Sequence, residues 1–422
     1  MNIDDEVNSK EVVHVEVLLL NSCTEPLSQV ESEVRSFLET ACTNYSNGPL
    51  CFSDSPYLVQ NVASIVISDI PSTTRVVPFW KAELGIHVYS LNMEGSSAET
   101  LDGNEDVTAF HEWMLPCAEF NSLWDHLVYD ESIKGDLLNY ATSAFIFSLN
   151  NVNPCIISLN RVLLLHGPPG TGKTSLCRAL AQKLAIRSFS RFNHIALIEI
   201  NSHSLFSKWF SESGKLVMKL FDYIHDLLSN EGTMLFILID EVESLSSSRK
   251  ASLSGTEPSD GMRVVNALLT QIDKLKNNPN VMVLTTSNLS TSIDDAFIDR
   301  ADIKRYIGNP GEESRFVILR DCIQELIRVG IIRDGVAWVE YGEMKQREDE
   351  VFRRLCEVVK ETEGLSGRAL RKLPFQGVFA VLVRAVYSPA RLSRGFKEGG
   401  SGGEAGSFAA SFFAGLFNKH ST

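Results

Sequence analysis

No apolar run in the 422 residues approaches the roughly 20 that a helix needs to cross a bilayer, so no membrane-spanning helix is expected. Residues 1–17 lack the basic start and apolar core of a secretory leader; they are acidic instead. The eight cysteines contain no C-x-x-C pair and have no histidine at ligand spacing. Scattered from Cys23 to Cys356, they read as reduced intracellular thiols, not as a disulfide frame or a zinc site. Basic residues are scarce in the first 110 positions, where 4 Lys+Arg stand against 17 Asp+Glu, a balance of −13. The remaining 312 residues are close to neutral. An acidic start of this kind is ill suited to nucleic acid, and no strong basic stripe outside the centre of the chain compensates for it.

What is present is the composition of a globular protein, 44% hydrophobic and 22% charged, in a chain long enough for two or three domains. The charge shift near residue 110 marks a separate N-terminal module, with a solvated acidic surface or an acidic docking face for a protein partner. β-Branched stretches predict strands at 12–20, 65–70, 75–79 and 86–91, and the spacing of Val30, Val34, Phe37 and Leu38 predicts a helix over 28–42. The module is thus α+β. Nothing in it has a catalytic spacing, and His87, His111 and His126 stand isolated. Residues 95–106 read as a polar loop, and 112–148 as helical.

The central stretch is R-V-L-L-L-H-G-P-P-G-T-G-K-T at 161–174: an apolar strand, a glycine loop, then a helix-forming run from Ser175. This is the phosphate-binding P-loop in its required setting. Gly167, Gly170 and Gly172 let the backbone curl until several N–H groups point at one spot, and the following helix N-terminus adds positive potential. The nucleotide-binding set is Gly167, Pro168, Pro169, Gly170, Thr171, Gly172, Lys173, Thr174 and Ser175. Lys173 is placed to reach the outer phosphates of ATP, and the Thr174 hydroxyl to hold Mg²⁺.

Further apolar strands at 195–200, 234–239, 281–286 and 303–307 alternate with helical patterns, which predicts a doubly wound α/β domain. The strand F-I-L-I-D-E ends in two carboxylates: Asp240 would hold Mg²⁺, and Glu241 would orient or deprotonate the attacking water. V-M-V-L-T-T-S-N ends at Asn288, whose amide suits a γ-phosphate or its water. Arg300, in D-R-A-D at 299–302, fits either a finger reaching a neighbouring subunit's nucleotide or a surface ion pair.

G-P-P-G-T-G-K-T, L-I-D-E, T-T-S-N and the arginine that follows resemble the AAA+ ATPases, which work as ring hexamers. More narrowly, V-N-P-C-I-I-S-L-N-R at 152–161, G-K-T-S-L-C-R-A-L-A-Q-K-L at 172–184, D-R-A-D-I-K-R-Y-I-G at 299–308 and G-L-S-G-R-A-L-R-K-L-P-F at 364–375 resemble the pachytene checkpoint protein two family, also called thyroid receptor-interacting protein thirteen. The resemblance implies a P-loop AAA+ module, a parallel sheet flanked by helices, with a small helical lid and a preceding α+β domain. The implied divisions are 1–110 for substrate and adaptor binding, 111–150 as linker and helical lead-in, 151–310 as the large ATPase subdomain, 311–388 as the lid and 389–422 as a divergent tail. In that family's pattern Asn288 matches sensor one, Arg300 the trans finger with Arg305 a weaker candidate, and Arg368 sensor two. Trp209, backed by Phe210, matches the aromatic of the pore loop, and the latter part of 244–261 aligns with the second pore loop.

The implied function is ATP-driven conversion of HORMA-domain proteins from closed to open, with a HORMA-type adaptor, by a homo-hexamer in nucleus and cytoplasm. A general unfoldase or polymer-severing ATPase would share the motor but lack the 364–375 match. A non-catalytic interaction protein is supported only by 393–421, where seven glycines and two Phe clusters depart from the family's pattern.

Overall fold

The computed structural model describes residues 10–70, 76–99, 110–130, 132–150, 152–153, 156–201, 213–244, 260–288, 295–331, 341–344 and 350–386. Trp209, Phe210, most of the loop at 244–261 and the tail after 386 lie outside them.

The N-terminal module is built by two periodicities meeting. β1 (Glu11–Leu19) turns Val13, Val15 and Val17 to one side, and α1 (Leu27–Ala41) lays Val30, Val34 and Leu38 into the same core. β2 (Asn44–Tyr45), β3 (Gly48–Leu50), α2 (Pro56–Asn61), β4 (Val62–Ser68), β5 (Val77–Pro78) and β6 (Ala82–Tyr89) follow. The sheet order is β3-β4-β1-β6, with β1 antiparallel to β4 and parallel to β6, while β2 and β5 form a separate ribbon. The strand expected over 75–79 shrinks to two described residues, because Pro78 has no N–H to extend a ladder. His87, isolated in the sequence, meets His14 across the parallel β1–β6 pair, ring nitrogens 3.0 Å apart.

The next two strands, β7 (Ser97–Glu99) and β8 (Phe110–Met114), do not belong to that module. They pair antiparallel onto the edge of the central sheet, Met114 opposite Ala196. Residues 97–99, read as loop, and 112–114, read as helix, are therefore strand, the latter within β8. An open edge of unpaired N–H and C=O groups draws in a strand, and Pro116 stops the later helical spacing from running back. The helices resume as α3 (Leu123–His126) and α4 (Ile133–Leu149).

β9 (Val162–His166), α5 (Lys173–Ser188), β10 (His194–Asn201), α6 (Ser213–Leu228), β11 (Thr233–Asp240), α7 (Asp260–Leu275), β12 (Val281–Ser287), α8 (Asp295–Ile298) and β13 (Ile303–Tyr306) make the α/β body. Its seven-stranded sheet runs β13-β9-β12-β11-β10-β8-β7, with the first five strands parallel. The sheet is thus mixed, parallel at the nucleotide side and antiparallel at its far edge. Val162, Leu164 and Ile237 face Leu220 and Phe221 of α6 and Leu268 of α7. Leu163, Leu165 and Leu238 face Leu176 and Leu180 of α5 and Leu137 of α4. Both faces are covered, so these strands are apolar throughout instead of alternating. Each fully buried leucine contributes about 1.5–3 kcal/mol.

α9 (Glu312–Arg328), α10 (Tyr341–Met344), α11 (Glu350–Glu361) and α12 (Gly367–Val386) form the lid, around Phe316, Leu319, Phe352, Leu355 and Leu370.

Candidate active site

The phosphate loop lies between the C-terminal end of β9 and the N-terminus of α5. Its backbone conformation explains its glycines: φ is +148° at Gly167, +79° at Gly170 and +92° at Gly172. A Cβ on Gly167 would sit 2.1 Å from the Ile307 carbonyl oxygen, so only hydrogen fits. The Lys173 ammonium is buried and donates to the carbonyls of Gly167 at 2.9 Å and Pro168 at 2.7 Å. Burial pulls its pKa below the ordinary lysine value, and Glu243 and Asp240 oppose that pull. Thr171 closes the loop by donating to the Pro168 carbonyl at 3.0 Å. Pro169 is exposed, and Ser175 sits half-buried on the first turn of α5.

Asp240, the last residue of β11, stands two strands across the sheet from β9, with β12 between them. The Thr174 hydroxyl donates to its Oδ1 at 2.9 Å. Two residues read 66 positions apart are thereby brought into direct contact. Thr286, which the strand pattern did not single out, also donates to Asp240 Oδ1 and accepts the Glu241 backbone N–H at 3.3 Å. Glu241 leaves the strand with φ +56°, in the left-handed region. The Asn288 amide donates to Glu241 Oε1 at 3.4 Å, and its backbone N–H to Glu243 Oε1 at 3.0 Å. Glu241, Asn288 and the P-loop converge as expected, joined by Thr286 and Glu243.

The lid reaches the same loop. The backbone N–H of Arg368 donates to the Gly170 carbonyl at 3.0 Å, and the side chain's charge lies near enough to depress the Lys173 pKa. Asp130 accepts from the N–H groups of Gly311 at 2.6 Å and Ser314 at 3.3 Å, which caps α9 and ties the lid to the segment before α4. Tyr129 donates to the Gly172 carbonyl at 3.4 Å. Val128, Tyr129, Ile318, Asn309 and Gly367 line a cleft of about 170 Å³ that abuts Thr171 of the phosphate loop. Sequence reading missed this wall, because no local spacing links residue 129 to a loop 43 positions later.

Arg300 is elsewhere. Its neighbour Asp302 bonds to Val162, at the start of β9, whereas the P-loop follows the end of that strand. Four residues of strand, roughly 13 Å, separate the two ends. Arg300 pairs with Asp273 of its own chain, and Arg305 with Asp136. Arg300 is not brought to this chain's own loop, while Arg305, opposite Leu165 near the loop end of β9, has its side chain on Asp136. The pore-loop residues Trp209 and Phe210 lie outside the described residues.

Three family models match the chain: the TRIP13 N-terminal domain over residues 8–94, the ATPase family associated with various cellular activities (AAA) over 163–309, and the TRIP13-like AAA+ ATPase lid C-terminal domain over 311–391. The chain is 50% identical over 387 residues to the Pachytene checkpoint protein 2 homolog of Arabidopsis thaliana, covering 87% of this chain and 83% of that one. To the Homo sapiens homolog it is 47% identical over 373 residues, covering 86% of each. Among solved structures, C. elegans PCH-2 is similar at 34% identity and a TM-score of 0.72, over 97% of this chain and 99% of that chain. A chain of the E. coli MS115-1 HORMA:CdnC:Trip13 complex shares the fold at 18% identity and a TM-score of 0.51, over 77% of this chain and 98% of that one. A nucleotide-binding P-loop, a two-carboxylate strand end and a lid seated on the loop, matched across N-terminal domain, motor and lid, place this chain in the Pachytene checkpoint protein 2 family of AAA ATPases.

Proposed function

We propose that this ATPase is a remodeller of HORMA-domain proteins that works as a homo-hexamer and converts a closed partner to an open one. The observation that carries the reading is the position of α5. Its first residue is the P-loop Lys173, while Lys183 and Arg187 of the same helix grip the N-terminal module through Glu16 and Asp69. Nucleotide and partner domain thus meet on one rigid rod. The HORMA partner named in the bacterial complex supports the substrate class. A HORMA-type adaptor on the acidic module, and roles at the spindle checkpoint and the meiotic chromosome axis in nucleus and cytoplasm, belong to the same reading. No direct contact with nucleic acid is part of it.

The chemistry follows from the site. The phosphate loop and Lys173 bind the triphosphate and orient it. Thr174 and Asp240, two oxygen donors already in contact, fit a magnesium ion and would hold it; that ion neutralises charge on the phosphates when bound. Glu241, steered by Asn288, takes the proton of the attacking water. Arg368 senses the nucleotide from the lid. Arg300, at the opposite end of the sheet, serves the neighbouring subunit's γ-phosphate as a trans finger, worth roughly 10³–10⁵ in rate. Trp209, backed by Phe210, grips the threaded polypeptide by apolar area.

The test is steady-state ATP hydrolysis and HORMA opening by hexamer-sized material. Wild type should do both, Glu241→Gln should bind ATP without turnover, and Trp209→Ala should hydrolyse ATP without opening the partner. Trp209→Ala with full opening activity would remove the pore-grip assignment, and a wild type that hydrolyses ATP but ignores every HORMA protein would remove the substrate class.

A further inference from the structure

Arg300 is not a loose surface cation. Its Nε donates to Asp273 Oδ1 at 3.0 Å and its Nη2 to Asp273 Oδ2 at 2.7 Å, a bidentate fork in which both groups are part-buried. Nη1 donates to the Ala296 carbonyl at 2.6 Å. A guanidinium carries five N–H donors, so three are used here, and one on each terminal nitrogen remains for an acceptor outside. The plane is therefore fixed while an edge stays available. That arrangement is expensive to build for a merely solvated charge, and the surroundings show that both partners are themselves held.

Asp273 sits on the last turns of α7. Its Oδ1 also accepts from Lys276 at 2.9 Å, which keeps the carboxylate ionised and oriented. The C-terminus of α7 is tied down by a buried arginine. Arg161 donates to the carbonyls of Leu275, Lys276 and Asn278, and also to Val281 and Ser148. On the other side, the Arg300 carbonyl accepts from the Asn160 amide at 2.9 Å, and the Asn160 N–H donates to Asp302. Two adjacent residues, Asn160 and Arg161, thus anchor both the backbone of the arginine and the helix of the acid that grips it. Asn160 and Arg161 lead directly into the P-loop strand β9.

We propose that Asp273 is the positioning residue of Arg300, presetting its guanidinium so that the free edge meets the γ-phosphate of the adjacent subunit without first being ordered. The inference rests on the trans-finger reading of Arg300. A flexible arginine would lose side-chain freedom at the moment of reaction; a clamped one has lost it on folding. Asp273 acts through Arg300 and touches no substrate.

The experiment uses the full chain in hexamer-sized form, with ATP as the probe, and compares Asp273→Asn, Asp273→Glu, Arg300→Ala and the double variant Asp273→Asn/Arg300→Ala. Asn keeps the shape and removes the charge that makes the fork strong. The expected result is a fall in kcat of about tenfold or more for Asp273→Asn with KM for ATP unchanged, partial recovery in Asp273→Glu, and a double variant no slower than Arg300→Ala alone. Asp273→Glu retains the charge, so it carries the comparison if Asp273→Asn does not assemble: its kcat must still fall with KM constant, and the fall must vanish in an Arg300→Ala background. Unchanged kcat in assembled Asp273→Asn overturns the proposal, as does a raised kcat, which would make Asp273 a latch that Arg300 must leave. Additive losses in the double variant would also overturn it. If Arg300→Ala itself leaves kcat unchanged, the finger reading fails first; if Arg300→Ala is slow and Asp273→Asn is not, only the positioning role falls.

Discussion

The backbone N–H of Arg368 donates to the carbonyl of Gly170 at 3.0 Å, so the first turn of the lid helix α12 rests directly on the phosphate loop. Gly367, on that same turn, also lines the cleft with Tyr129. Gly170 is one point where the loop and the lid press together. Its φ is +79°, and a Cβ there would lie 2.8 Å from Ser366 Oγ and 3.3 Å from Arg368 Cβ. Gly170→Ala combines a left-handed backbone penalty of roughly 1–2 kcal/mol with a displaced lid. The expected outcome is at least about tenfold weaker nucleotide binding, read by titration with a fluorescent ATP analogue. Binding at wild-type strength would show that the lid contact does not shape the loop.

Thr286 holds Asp240 and the Glu241 N–H at once. Thr286→Val keeps the volume and deletes both bonds, a loss of about 0.5–1.5 kcal/mol for each. A fall in kcat of about tenfold and a higher Mg²⁺ requirement are expected, measured by hydrolysis across a magnesium titration. A variant that needs more Mg²⁺ but turns over at the normal rate would assign Thr286 to Asp240 alone.

Lys183 is a buried cation, its side chain 5% exposed, with Glu16 at 2.5 Å and Asp69 at 3.4 Å. Its partners belong to the N-terminal module, so the pair is an interdomain bolt. Lys183→Met leaves Glu16 without its cation, with only the Ser68 hydroxyl still donating to it, and should lower stability by about 3–5 kcal/mol. Chemical denaturation measures this, and limited proteolysis should show the module released before the motor unfolds. The reversed pair, Lys183→Glu with Glu16→Lys, should recover part of the loss.

The His14–His87 pair makes the same region acid-sensitive. Burial, first of all, holds the pKa of each ring down at about 4, with the Arg187 charge adding to the shift of His14 and the partner ring to that of His87. Both are neutral in the folded chain while the unfolded chain takes up protons below about pH 6.5. The unfolded state therefore binds more protons as pH falls, and stability present at neutral pH is lost progressively between about 6.5 and 4. Thermal melts across that range should show a steep decline in wild type. The double variant His14→Asn/His87→Asn should show a shallower one. An equally steep decline would place the acid sensitivity in other groups.

The parts of this protein written in a short contiguous span could be read without a structure. The P-loop is one: its φ angles demand glycine at 167, 170 and 172, and strand and helix flank it within a dozen residues. The parallel strands were readable because burial on both faces leaves uninterrupted apolar runs, and each carboxylate or amide at a strand end follows from the rule that such sheets bind ligands at their carboxyl edge. The lid helices at 312–328, 350–361 and 367–386 followed from their spacing.

What only the folded chain decided were pairings between residues with no common period. Glu112 opens no helix, because an unpaired sheet edge is available at β10 and local spacing does not record a distant edge. Arg300 pairs with Asp273, 27 residues away, a contact that no local spacing announces. Arg187 and Asp69 lie 118 positions apart, and their contact ties the N-terminal module to the helix that follows the P-loop. A local backbone conformation constrains the residues that adopt it, so it leaves a signature in sequence. A contact across the fold constrains only that two surfaces meet, and charge or apolarity alone does not say with whom.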